Sequence, residues 1–99
     1  MSKPLESYWI FIIDVRDCAG SLTSVSSAFS NEGVNIDKII GHGHENDSDD
    51  KGQIVVGFNQ SEEVKDIMYR KIKRLPKVIK LREEEASPER LIELITQKK

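Results

Sequence analysis

Cysteine is nearly missing from this chain: Cys18 is one residue in 99. A lone thiol excludes an intrachain disulfide and suits a reducing compartment, so a cytoplasmic chain is expected. Charge of one sign is not in excess, with 15 Lys and Arg against 17 Asp and Glu, a formal net charge of −2. That balance argues against a nucleic-acid binder relying on phosphate neutralisation. Long apolar runs are also lacking, since the longest, Tyr8 to Ile13, is far too short to span a bilayer. The opening MSKPLES has no basic-then-apolar layout of a secretory leader. There is no phosphate-cradling glycine loop, no nucleophile motif and no Glu–His metal signature. The acidic pairs Glu62–Glu63 and Glu83–Glu85 read as a helix start and an exposed strand exit. An enzyme is therefore not expected, and neither a catalytic residue nor a cofactor is assigned.

What is present is a regular order of apolar patterns, enough for one modest core. Residues 7–15, SYWIFIIDV, are rich in β-branched and aromatic side chains and read as a strand. Trp9, Phe11, Ile13 and Val15 line one face, and Tyr8, Ile10, Ile12 and Asp14 the other. Both faces are mostly apolar, which places the strand centrally with cover on both sides. From Ser21, the residues Leu22, Val25 and Phe29 recur at helical spacing, and Gly33 closes the helix. Residues 34–40, VNIDKII, read as a second strand whose alternation slips at Ile39–Ile40, which suggests a bulge or the end of half-burial. A polar stretch, GHGHENDSDDKG, separates it from QIVVGFN, its hairpin partner. Ser61 caps a second helix with the stripe Val64, Ile67, Met68, Ile72 and Leu75, stopped by Pro76. KVIKLRE, residues 77–83, is the last strand, and Ser87-Pro88 opens a third helix.

The order βαββαβ plus a C-terminal helix predicts an α+β, ferredoxin-like sandwich. It has an antiparallel four-stranded sheet with two helices on one face. Tyr8, Ile10, Ile12 and Val55 then lie on the face without those helices, where exposure costs about 1.5–3 kcal/mol each relative to full burial. Leu91, Ile92 and Ile95 give the C-terminal helix an apolar stripe that can cover this face, on its own chain or on a partner's. A second sheet packed face to face is the alternative.

Read together, DVRDCAGSL, AFSNEGVNI and KIKRLPKVIKLRE resemble the ACT domain, a small regulatory module of amino-acid metabolism. The resemblance runs from about Tyr8 to Glu83. Its carriers are Asp17 three residues before Gly20 at the first strand–helix turn, Gly33–Ile36 opening the second strand, and the Leu-Pro-led last strand. The acidic hairpin loop is similar to that of acetolactate synthase regulatory subunits, and the last strand region to the ACT domain of guanosine-polyphosphate synthetases. The turn carries Ala19-Gly20 where the family commonly has Pro-Gly, which leaves it less rigid. The resemblance divides the chain into a tail (1–6), an ACT-like domain (7–84) and a C-terminal helical extension (85–99).

It also implies a homodimer that senses a small amino acid and modulates a partner enzyme of amino-acid metabolism. The ligand-binding residues are then Asp17, Cys18, Ala19, Gly20, Ser21 and Leu22, joined by Asn35 of a second copy. The chemistry expected of the turn is simple. Amides of Gly20, Ser21 and Leu22 at a helix start hold a carboxylate, Gly20 admits the ligand to the backbone, and Asp17 pairs with the ammonium. An interaction-only regulatory subunit without ligand is the alternative.

Other readings are weaker in their residues. Cys18 precedes a helix start, which lowers a thiol pKa, yet no histidine is near it in sequence. His42 and His44 share a strand face in an i, i+2 pair, but nothing else has ligand spacing, and Asp47, Asp49 and Asp50 lack the EF-hand pattern. No metal site is assigned. The βαββαβ order also serves RNA-recognition domains, whose strand motifs KGQIVVGF and IFIIDV resemble. Base stacking needs aromatic side chains where Gln53 and Val55 stand, leaving Phe11 among the stacking positions.

Overall fold

Eleven residues with both faces apolar can be satisfied only in the middle of a sheet, and the architecture is built around them. A computed structural model of the chain describes residues 5–43 and 51–96. The elements are β1 (Glu6–Arg16), α1 (Cys18–Asn31), β2 (Lys38–Gly43), β3 (Lys51–Ser61), α2 (Glu62–Lys73), β4 (Val78–Ala86) and α3 (Pro88–Thr96). The four strands form one antiparallel sheet in the order β2-β3-β1-β4. This is the expected ferredoxin-like sandwich with its extra helix. The register shift in the sheet lies between Asp14 and Val15, where β1 meets β4, and not in β2 as the Ile39–Ile40 slip suggests. Ile39 and Ile40 are both half-buried, because each face of β2 is partly covered.

On one face, α1 and α2 seal a core of Trp9, Phe11, Ile13 and Val15 with Ile54, Val56 and Phe58 from β3. Phe11, Phe29 and Phe58 meet edge to face, with ring centroids 4.9 to 6.2 Å apart, which adds aromatic geometry to simple burial. Lys65 is buried at this side, its Nζ 4.5 Å from the centre of the Trp9 ring, 2.6 Å from Asp66 and 2.9 Å from Glu83. Burial alone would push its ammonium pKa down, but the two carboxylates reverse this and hold it above its ordinary value.

On the other face, α3 lies over its own sheet and inserts Leu91 among Tyr8, Ile10, Ile12 and Val55. Ser87 Oγ accepts from the Arg90 amide, and the Arg90 guanidinium grips Glu84 of β4 through two bonds of 3.0 and 3.2 Å. Gly57 makes this docking close: a Cβ there would meet the Tyr8 hydroxyl and lie 2.8 Å from Leu91 Cδ1. Among the described residues no helix is long and apolar enough to cross a membrane.

Several boundaries differ from the sequence reading: β2 runs on to Gly43 and β3 begins at Lys51, both inside the polar stretch between the two expected strands, and β4 extends past Glu83 to Ala86. Strand β2 begins at Lys38, not at Val34. Gly33, at φ +71°, donates to the Ser30 carbonyl, and Val34 donates to the Phe29 carbonyl. Those two bonds close α1 as a Schellman turn, so Val34 belongs to the helix end and buries its side chain in the core. Helix α1 begins at Cys18, not at Ser21, and the reason lies in the turn before it.

Candidate functional site

Asp17 follows β1 with φ 51° and ψ 72°, the left-handed conformation that aspartate tolerates better than most side chains. From there its Oδ1 accepts the Gly20 amide at 3.2 Å, and its carbonyl accepts the Ser21 amide at 2.8 Å. The capping carboxylate starts the helix one full turn before the apolar periodicity becomes visible. Gly20 is required for this cap, since a Cβ would lie 2.5 Å from Asp17 Oδ2. Ser21 is buried and donates its hydroxyl to the Arg16 carbonyl at 2.7 Å. Ser24 donates to the Gly20 carbonyl at 3.2 Å.

The expected donors are therefore engaged elsewhere. The Gly20 and Ser21 amides both bond to Asp17, and Leu22 sits in the second turn, where its amide belongs to the helix ladder. Gly20 makes room for the Asp17 carboxylate. Ala19 is exposed and Leu22 half-buried against the core. Cys18 points inward: a Cβ on Gly52 would lie 2.9 Å from its sulfur, and one on Gly41 3.2 Å. The two glycines let the first turn of α1 sit directly on β2 and β3.

One charged group at this turn comes from 60 residues away. Lys77, in the connection between α2 and β4, places Nζ 2.6 Å from Asp17 Oδ2. Its carbonyl accepts the Arg16 amide at 2.9 Å, which pins the base of the side chain beside the turn. The Lys77 hydrogen bond, then the Gly20 amide, hold the Asp17 carboxyl below its ordinary value of 3.8. Both side chains stay about half exposed. Next to them, Ser21, Ser24, Leu75, Pro76, Lys77 and Val78 line a cleft of about 140 Å³.

Asn35 is exposed at the opposite end of the molecule. It lines a polar cleft of about 430 Å³ with Glu6, Asp37, Asn59 and Gln60. Asn59 and Gln60 pair with Tyr8 and Ser7 at the start of β1, whereas Asp17 follows its end. At about 3.3 Å per residue along that strand, one chain cannot bring Asp17 and Asn35 onto one small ligand. In the Asn35 cleft, Asp37 Oδ2 accepts the buried Tyr8 hydroxyl at 2.7 Å; burial, then this bond, pushes the phenol well above its ordinary range.

His42 is part of β2 and faces Gln53 across the hairpin, with Nε2 buried and without a hydrogen-bond partner among the described residues. His44, Asp47, Asp49 and Asp50 lie outside the described residues. No group of three or more His, Cys, Asp or Glu able to hold a metal occurs among those described. Phe11 is not on the RNA-stacking face: it is fully buried under the helices, while Val55 lies beneath α3.

Comparison with known proteins agrees with this architecture. No curated protein matches the sequence significantly. An uncharacterized protein from Thermotoga maritima superimposes with a TM-score of 0.67 at 13% identity, covering 84% of this chain and all of that one. The crystal structure of the ACT domain from GTP pyrophosphokinase of Chlorobium tepidum gives 0.65 at 15% identity, over 81% of this chain and all of that domain. The C-terminal domain of the MgtC protein from Mycobacterium tuberculosis gives 0.64 at 9%, over 89% and 96%. At these identities the likeness is one of fold. A family model described as the AHAS small subunit-like ACT domain matches residues 11–80. Spanning most of the chain and including the Asp17 turn and the Lys77 connection, that match makes this chain a member of the AHAS small subunit-like ACT domain family, a regulatory and not a catalytic module.

Proposed function

We propose that this ACT module senses a small amino acid between two copies of itself and conveys occupancy to a partner enzyme of amino-acid metabolism in the cytoplasm. Asp17, Cys18, Ala19, Gly20, Ser21 and Leu22 of one copy form one wall of the site, and Asn35 of a second copy adds an amide from the other. The chain performs no chemistry of its own. The observation that carries this reading is the Asp17 carboxylate, fixed by the Gly20 amide and half exposed beside a cleft. Asn35, at the other end of the sheet, can join it on one ligand only from a second copy. A rigid, ionised Asp17 suits an ammonium group, and Asn35 in its polar cleft can either donate or accept. The ligand bridges two chains and so stabilises one subunit arrangement over another, a shift of populations that a partner can read.

The internal bonds of the Gly20 and Ser21 amides favour a second reading, an interaction-only subunit without ligand. A thermal-shift screen of the twenty amino acids separates the two. A ligand at about 100 times its Kd adds about 2.7 kcal/mol, which for a domain this size raises Tm by about 10 °C or more. The expected result is a shift from one or two amino acids, lost in Asp17→Ala and weakened in Asn35→Ala, with a dimer by sedimentation. No shift from any of the twenty leaves the interaction-only reading.

A further inference from the structure

Resting on the amino-acid reading, we infer that the ligand's head group binds by opening the Lys77–Asp17 ion pair, its carboxylate on Lys77 Nζ and its ammonium on Asp17 Oδ2. Its side chain then enters the cleft walled by Leu75, Pro76 and Val78. Lys77 is the binding residue that the turn's own sequence does not contain.

The pair is built asymmetrically. Asp17 is held on three counts: its left-handed backbone, its Oδ1 bond to the Gly20 amide, and its carbonyl bond to Ser21. Lys77 is anchored at its backbone by the bond from the Arg16 amide, and its side chain, which reaches Asp17 through Nζ, is 55% exposed. An exposed ion pair is weak, and a lysine stem has many rotamers of similar energy. The cation can therefore swing outward while the anion stays. A zwitterion entering the gap restores both charge contacts: Asp17 exchanges one ammonium for another, and Lys77 exchanges one carboxylate for another. No charge is left unpaired, and no amide of the helix start has to be released.

Size then sets the ligand class. Pockets for drug-sized ligands run about 300–1,000 Å³, and the cleft beside Lys77 is about 140 Å³. It takes the side chain of a small or medium-sized amino acid, aliphatic or hydroxyl-bearing. The Ser24 hydroxyl, bonded to the Gly20 carbonyl at a long 3.2 Å, is one of the polar groups in that wall, with Ser21 and Lys77. The structure thus places the ligand on the α2–β4 side of the turn, with the head group reached from one chain.

Isothermal titration of the full chain with alanine, serine and valine tests this, beside propionate (no ammonium), alaninamide (no carboxylate) and phenylalanine (bulky and aromatic). Binding is expected for one or more of the three small amino acids and for none of the three controls. Lys77→Gln is expected to weaken it at least tenfold and Lys77→Arg to retain most of it, both keeping the wild-type circular dichroism. Equal affinity in wild type and Lys77→Gln overturns the inference while leaving an amino-acid site between two copies. Binding of alaninamide as tight as that of alanine, or preference for phenylalanine, also overturns it. Absence of binding by every amino acid overturns both this inference and the reading beneath it.

Discussion

The two faces of this sheet are covered by different means. One is sealed by α1 and α2, of 14 and 12 residues, over an interlocked set of phenylalanines. The other is sealed by α3, of nine residues, with one fully buried side chain, Leu91. A helix that short is marginal by itself. Its order comes from the sheet beneath it, from the Ser87 cap and from the Arg90–Glu84 fork. The lesson is that equal burial does not mean equal cooperativity. Phe11 and Ile10 are both fully buried neighbours on β1. The first is locked by two helices, and the second by one short helix with a single fully buried side chain.

Five variants break or sharpen this contrast, the core first and the turn last. Phe11→Ala removes the ring that meets Phe29, Phe58 and Tyr69, and should cost about 3–5 kcal/mol in urea unfolding. Against a total of about 5–15 kcal/mol that leaves little margin, and near-ultraviolet circular dichroism should show loosened aromatic packing. Leu91→Ala should cost about 2–3 kcal/mol, near the low end for such a truncation. Deleting residues 87–99 uncovers Tyr8, Ile10, Ile12 and Val55 together, so it should cost well over what Leu91→Ala does and expose those side chains to dye binding or self-association. If that deletion unfolds the whole chain, the two faces form one cooperative unit and the contrast fails.

Gly57→Ala should cost about 1–3 kcal/mol by overpacking, since the new methyl meets Tyr8 and Leu91. In a Leu91→Ala background its cost should drop, a non-additivity that a double-mutant cycle reads directly. The smallest effect is at the turn. The Asp17 pKa is depressed in the folded chain, so its contribution is complete above the unfolded value of about 3.9 and is lost as pH falls through the lower folded value. Asp17→Asn keeps a cap that tolerates the left-handed conformation and removes the titration. The Tm of that variant should fall less steeply than wild type as the pH drops below about 4, with no difference in slope near neutrality.

Much of the fold was legible residue by residue. The alternation through β1 announced a central strand, and Trp9, Phe11 and Ile13 face the helices as that alternation requires. Gly33 announced the end of α1, because few other residues take positive φ there without strain. The start of α1 was harder to see. Its first turn holds Cys18, Ala19 and Gly20, which carry no amphipathic signal, and the cap that starts it is a charged residue in a turn. The start of β2 was hidden for a related reason: Val34 is apolar enough for a strand, but its amide is claimed by Phe29. At the candidate site the Asp17–Gly20 spacing was visible, whereas the occupation of the Gly20 and Ser21 amides was not. Lys65 also escaped notice, because a lysine beside an apolar helical stripe is ordinarily solvated. Here Trp9 and Glu83 arrive from two strands to bury and pair it.

Local pattern by itself determined the number, kind and order of the elements, because periodicity, caps and helix-ending glycines act over a few residues. It also determined which side chains of β1 share a face. The tertiary structure alone decided that Lys77 meets Asp17, that Asn35 lies at the far end of the sheet, and that α3 folds over its own strands. Those placements follow from the order β2-β3-β1-β4, which sets β4 beside β1 and brings residues 60 positions apart within hydrogen-bonding distance. Contacts of that kind are chosen by the packing of the whole chain, and no short window of sequence contains them.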